Sequence, residues 1–349
     1  MAGTGEGSVT IDSLPRDILA DILRHAGYPH RHRAASTSRA FADAASHPSF
    51  TRVVRKGETI TDACKDAGVG DTVIIPPGIR DECVVFDKPL ALVGERIDAV
   101  ECAGGAGSSR CAVVLEHPGK ACVRYENKDR PSSYEYDERF RLANMCFRAG
   151  GDAREDDNAY ISNLYYGVIF THSPTKVRMD RCESRGTQSI VPSYCTVELP
   201  SDVINSGRFI MEGCLVTGAG MEHTLSKRRR QELKVDPSHH EAAVYAEHFC
   251  GDLIMRGCVV SENASSGIHV GDGVAKFKAE NCDVSYNGGH GMILQSGYGC
   301  KREVRRCTIW RNMVFPLHVT SGDVSGVTFS ENHVQNRYGE EESDEDDSE

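Results

Sequence analysis

Four segments of the chain repeat one another at a spacing characteristic of stacked solenoids. Beginning at Cys258, Cys282, Cys307 and Val327, they read CVVSEN, CDVSYN, CTIWRN and VTFSEN. The starts lie 24, 25 and 20 residues apart, and an Asn falls five positions after each, at Asn263, Asn287, Asn312 and Asn332. Related segments without the Asn begin at Cys146, Cys182 and Cys214. A unit this short cannot bury a hydrophobic face alone, so repeats of this length stack on their neighbours.

Within each unit the apolar residues alternate with period two, as in Ile268-His269-Val270, Met292-Ile293-Leu294 and Leu317-His318-Val319. That is strand spacing. Between the strands lie corners rich in Asn and Gly, which tolerate the left-handed backbone of a sharp bend. The spacing of leucine-rich repeats and the long amphipathic runs of helical repeats are both missing. Three short strands per turn of about 24 residues predict a mainly β chain, wound as a single-stranded right-handed parallel β-helix over residues 57–337. Successive rungs of such a coil lie about 4.8 Å apart, so like residues stand on like. Cys258, Cys282 and Cys307 are then expected as an inward ladder of small apolar thiols. Asn263, Asn287, Asn312 and Asn332 are expected as a corner ladder of bonded amides. The polar, aperiodic stretches 125–139, 150–163 and 219–240 are expected to leave the stack as loops. Lys227–Arg230 (KRRR) falls in the last of these, read as solvated loop charge with a nuclear-import signal as the alternative.

Charge has to be split before it is interpreted. The chain carries 40 basic and 51 acidic residues, net −11, but eight of the acids fall in Glu340–Glu349. The rest sits near −3, which points to no nucleic-acid partner. No apolar run reaches the roughly 18 residues of a membrane span, and residues 1–10, Gly-rich and expected to be disordered, lack a signal-peptide pattern. Fourteen cysteines without that pattern read as reduced thiols of a cytoplasmic or nuclear protein. No CxxC pair occurs, so neither a metal site nor a cofactor is expected. Residues 338–349 read as a disordered acidic tail, in which Ser343 precedes a run of acids.

An open coil end exposes its core and needs a cover, and residues 57–94 are read as that cap with the first turns. Thr59–Lys65 suits a short helix with Ile60, Ala63 and Cys64 on one side; Val73–Ile75 reads as the first strand, Pro76-Pro77-Gly78 as a turn, and Val84–Phe86 and Leu90–Val93 as strands. The run GDTVIIPPGIRDECVVFDKPLALVGE resembles the opening of pectin-lyase-like β-helices, although no Tyr follows the Pro-Gly. Residues 11–54 have helical periods instead. Ile18, Leu19, Ile22 and Leu23 mark one helix, with Ser13 as its N-cap and Gly27 at its end. A second helix is expected from about Arg31 to Ser46, with Ala35, Ser38, Phe41 and Ala45 on one side. LPRDILADIL and SRAFADAASHPSFTRVV resemble the two ends of an F-box, while the middle, GYPHRHRAAST, departs from it. The order of the two parts resembles the F-box/β-helix adaptors of cullin ubiquitin ligases. The resemblance implies that Leu14, Pro15, Ile18, Leu19, Ile22, Leu23 and, in the closing motif, Phe41 form the docking element for the ligase's adaptor subunit. It also implies a cullin partner and a β-helix presenting an unknown protein substrate.

β-helices also carry polysaccharide-cleaving enzymes, so the fold alone leaves activity open. No acidic column shows in the repeat register, and no catalytic residue is assigned. Tyr245, His269, Ile293 and His318 recur at 24, 24 and 25 residues and are expected to form an outward strip that contacts a partner. The expectation is a non-catalytic substrate receptor. The alternatives are an intracellular carbohydrate-binding or carbohydrate-active β-helix, in which His269 or His318 would matter, and a scaffold whose acidic tail binds basic proteins.

Overall fold

The computed structural model describes residues 13–27, 30–96, 111–117, 122–126, 139–149, 168–171, 176–186, 190–191, 208–218, 242–246, 251–263, 266–295, 299–320 and 327–335. The expected loops at 150–163 and 219–240, most of 125–139, the KRRR run, Ser343 and both terminal segments lie outside them.

Every strand pairing is parallel, and the chain visits three sheets in rotation. The first sheet stacks ten strands from Thr51–Val53 and Thr72–Ile75 to Lys276–Glu280, Lys301–Arg305 and Val327–Ser330. The second stacks nine, from Gly78–Asp81 to Asp283–Ser285, Thr308–Trp310 and His333–Gln335. The third stacks eight, from Val84–Phe86 to Ser266–Val270, Met292–Gln295 and Leu317–Thr320. Alternation decides what goes inside: along Lys276–Glu280, Phe277 and Ala279 are buried and the residues between them are half-exposed. Their inward neighbours on the rung below, Leu253 and Met255, are buried too.

Among the described residues, two corners of the later rungs are made by residues in left-handed conformation. Between the first and second sheets stand Asn144, Arg181, Gly213, Gly257, Asn281 and Arg306, with φ from 49° at Arg181 to 59° at Gly213. The next corner uses Gly218, Glu262, Tyr286 and Arg311. A side chain with a Cβ in that region costs roughly 1 kcal/mol or more. The stack offsets it with backbone bonds between rungs, such as Arg181 N–H to the Glu212 carbonyl at 2.8 Å.

The helical part differs from expectation in two places. α1 (Arg16–Ala26) has Pro15 at its N-cap position, two residues after the expected Ser13. The expected second helix is two, α2 (His30–Ala35) and α3 (Arg39–Ala45). Ser38 lies at the break as the N-cap of α3, its hydroxyl accepting the Phe41 N–H at 3.2 Å; a hydroxyl that caps cannot also sit on the helix face. The chain then adds Thr51–Val53 beside Thr72–Ile75, so the coil begins one strand before Val73–Ile75. Pro76-Pro77-Gly78 turns directly into another strand, Gly78–Asp81.

α4 (Ile60–Asp66) covers the end of the coil with Ile60, Ala63 and Cys64 buried. Its N-terminus is held from the stack, where the Glu82 carboxylate accepts the N–H groups of Ile60 and Thr61 at 2.9 and 2.8 Å. Arg31 joins the helical segment to this cap. It donates to Asp71 at 3.0 Å, bonds the Gly70 carbonyl, and lies 4.2 Å over the Phe50 ring.

Candidate functional site

The residues expected to form a docking element fall on two faces of α1. Leu19 and Leu23 turn inward to a cluster with Ala20, Ala44 and Phe50, against which Leu14 and Phe41 pack half-buried. Ile18 and Ile22, one helical turn apart, point the other way and are 47% and 40% exposed; Pro15 is exposed as well. Leu19 and Leu23 therefore support the surface from beneath, while Pro15, Ile18 and Ile22 form it.

In the coil the register places the cysteines in one buried column. Cys182, Cys214, Cys258, Cys282 and Cys307 follow one another, each carbonyl accepting an N–H from the rung above at 2.8–2.9 Å. Cys146 stands beside this column: it pairs with Glu183, and Met145 takes the rung position below Cys182. Contact with the sulfur of the rung below, and then burial, pushes the thiols of Cys258 and Cys282 up to about 12 and that of Cys307 higher still. These thiols stay protonated at neutral pH, which suits packing and not nucleophilic chemistry.

The Asn ladder holds at three of the four expected positions. Asn263 Nδ2 donates to Asn287 Oδ1 at 2.8 Å, and Asn287 Nδ2 donates to Asn312 Oδ1 at 2.9 Å. Asn332 is not on it. Val327 pairs with Arg302 and His333 with Thr308, so Asn332 stands above Cys307, 25 residues on. There its Oδ1 accepts the Cys307 N–H at 2.8 Å and closes the cysteine column. The likeness of VTFSEN to the other repeats is a coincidence of two different strands. Beside the Asn ladder, Gly267 and Gly291 leave room for it: a Cβ on Gly291 would stand 2.6 Å from Asn312 Nδ2.

Tyr245, His269, Ile293 and His318 do stack in register. The strip is not uniformly outward-facing to solvent, because Tyr245 and His269 are only 5% and 7% exposed and meet edge to face at 5.1 Å. Alternation predicts the side of the sheet, not what lies over it. Ile293 and His318 are half-buried, and at this end the strip merges with a surface that the sequence reading missed. Met313, Val314 and Phe315 form a corner exposed by 52%, 41% and 52%. Phe315 stacks on His290 at 5.6 Å, and His290 lies 4.9 Å from His318. Burial, then the neighbouring His318, lowers the His290 pKa. Around the same corner Tyr286 and Trp310 meet at 5.1 Å, with the Arg311 guanidinium 4.6 Å over Trp310. The signal lay in the sequence: the corners at 263–267, 271–273 and 287–291 are rich in Asn or Gly, and this one reads MVF.

Residues 11–53 match the F-box domain family, and residues 202–341 match the family described as right handed beta helix region. The chain carries an F-box domain and a right-handed β-helix region. Solved structures of similar fold include pectin methylesterase from Aspergillus niger, at 11% identity over 86% of this chain and 89% of that one, TM-score 0.44. Pectate lyase Pel9A is similar at 11% identity over 82% and 76%, TM-score 0.44. ORF18 of Geobacillus virus E2 is similar at 12% identity over 78% and 51%, TM-score 0.45. Likeness at this level carries no argument about chemistry. Comparison with curated proteins returned no match.

The β-helix also carries acids in column, which the sequence reading missed. Asp180 and Glu212 are register partners on the outer face of the first sheet. Arg178 bonds both, at 2.7 and 2.6 Å, Arg141 bonds Asp180 at 2.6 Å, and Arg256 bonds Glu212 at 2.8 Å. Carboxylates clamped in this way hold neighbouring rungs together and are committed as acceptors. Among the described residues no group of three or more His, Cys, Asp or Glu could hold a metal ion. No helix among them is long and apolar enough to cross a membrane.

Proposed function

We propose that the protein is a non-catalytic substrate-recognition subunit of a cullin-type ubiquitin ligase, acting in the cytoplasm or nucleus. F-box domains in general dock on the ligase's small adaptor subunit, and the face that α1 leaves uncovered suits that role. The observation that carries the reading is the exposed Ile18–Ile22 pair on a helix whose opposite face is already filled. Two large apolar side chains held in water by a small domain gain about 1.5–3 kcal/mol each when a partner covers them. Pro15 extends that face. The β-helix carries the substrate, with Ile293 and His318 at the accessible end of the strip.

The test is co-purification of the full chain with the adaptor and cullin. The double variant Ile18→Asp, Ile22→Asp is expected to weaken adaptor binding by at least about 100-fold and to leave the melting temperature unchanged, since both side chains are exposed in the free protein. Equal adaptor binding by the variant overturns the reading.

A further inference from the structure

We propose that the chain's own acidic segment, Glu340–Glu349, docks in cis on the surface formed by Tyr286, Trp310, Arg311, Met313, Val314 and Phe315. The surface has the composition of an interface core, with aromatics, Met and Arg; an acid, Glu262, stands on the same corner one rung below Tyr286. Neither 286–293 (YNGGHGMI) nor 310–318 (WRNMVFPLH) contains a carboxylate. Among the described residues Arg311 stacks on two rings and donates to the Tyr286 hydroxyl at 3.2 Å, but pairs with no acid. A cation over an aromatic face, with no carboxylate partner and bare apolar side chains two to four residues on at Met313–Phe315, is complementary to an acidic segment.

The register delivers such a segment to this place. Gln335, the last described residue, pairs with Trp310, so the described chain ends on the strand about 4.8 Å from the one that carries Trp310. Glu340 follows five residues later and opens a run of eight acids in ten residues. At about 3.3 Å per residue it lies within roughly 17 Å of Gln335, close enough to bend back onto Arg311 and the Met313–Phe315 corner. A tethered segment at that distance faces its site at a millimolar effective concentration, so weak contacts suffice. A substrate that used this surface would have to displace the tail.

Trp310 is the only tryptophan in the chain, so its fluorescence reports on the site directly and needs no ligase component. Removal of residues 340–349 is expected to raise acrylamide quenching of Trp310. Raising salt is expected to do the same in the full chain and nothing in the truncated one. A synthetic peptide of residues 336–349, titrated into the truncated chain, should reverse the change with a saturable curve. The substitution Arg311→Glu should weaken that peptide by about tenfold or more, and a peptide with its acids replaced by amides should not bind. Unchanged quenching on truncation overturns the proposal. So does protection of Trp310 that appears only as protein concentration rises, because the tail would then be reaching a second copy. Loss of adaptor binding in the Ile18/Ile22 variant leaves these signals untouched, so the two readings fail separately.

Discussion

The F-box and the β-helix bury their apolar residues by different rules. In the F-box the buried cluster is Leu19, Ala20, Leu23, Ala44 and Phe50, and α1 still leaves two isoleucines in solvent. In the β-helix one continuous cluster runs from Val54 to Ile309, and each rung is covered by the next. A stack satisfies itself everywhere except at its ends and corners, so unburied side chains there are few and local. A three-helix segment cannot enclose all of its apolar residues, and its surplus is available to a partner from the start. Exposed apolar residues therefore mean more on the F-box face and the MVF corner than isolated ones would elsewhere.

The largest effect that could break this contrast lies where the β-helix departs from its own rule. Arg302 occupies an inward position in register with Phe277 and is fully buried. Its guanidinium donates to the carbonyls of Gln295, Val274, Lys301 and Gly271 at 2.7–3.1 Å, and burial lowers its pKa. It ties the corner after the third sheet to the first. The substitution Arg302→Ala removes these donors and opens a cavity, for an expected loss of about 3–5 kcal/mol. Denaturant unfolding of the full chain measures it. A loss below about 1 kcal/mol would mean that the last rungs need no such tie.

A somewhat smaller effect tests whether the two regions are separate at all. Leu23→Ala should cost about 3 kcal/mol in a cluster of five side chains, enough to unfold the helices locally. The β-helix should keep its own transition, and adaptor binding should fall with the helices. Limited proteolysis before residue 50, alongside circular dichroism, separates the outcomes. If both regions melt together, the Arg31–Asp71 pair and the strand Thr51–Val53 have fused them into one cooperative unit.

Much of this contrast was legible in the sequence, because periodicity reports which side of an element a residue occupies. The period-two runs located the strands, the Cys258–Cys282–Cys307 spacing identified the stacked column, and the helical period picked out α1. What periodicity cannot report is cover. Tyr245 and His269 lie on the outer side of their strands and are nonetheless buried. Leu19 and Ile18 are neighbours with the same chemistry, and only packing against Phe50 and Ala44 separates support from surface. Corner residues were partly hidden for another reason. Gly213 and Asn281 announce a left-handed turn, but Arg181 and Arg306 adopt the same conformation with a full side chain because rung-to-rung backbone bonds hold them there.

The smallest effect sharpens the register itself, using two asparagines that look alike in sequence. Asn287 stands inside the ladder: its amide donates to the Val260 carbonyl and to Asn312, and its Oδ1 accepts from Asn263. Asn287→Ala strips bonds from buried groups on both neighbouring rungs and should cost about 2 kcal/mol. Asn332, half-buried at the end of the cysteine column, donates to Val304 at 2.9 Å and accepts from Cys307. Water can replace part of what Asn332→Ala removes, so about 1 kcal/mol is expected. The pairing with Asn312 decides between the two registers. If Asn332 were the fourth rung of the ladder, Asn312→Ala and Asn332→Ala would be strongly coupled in a double-mutant cycle. In the structure they share no bond, and the two losses should add to within about 0.5 kcal/mol.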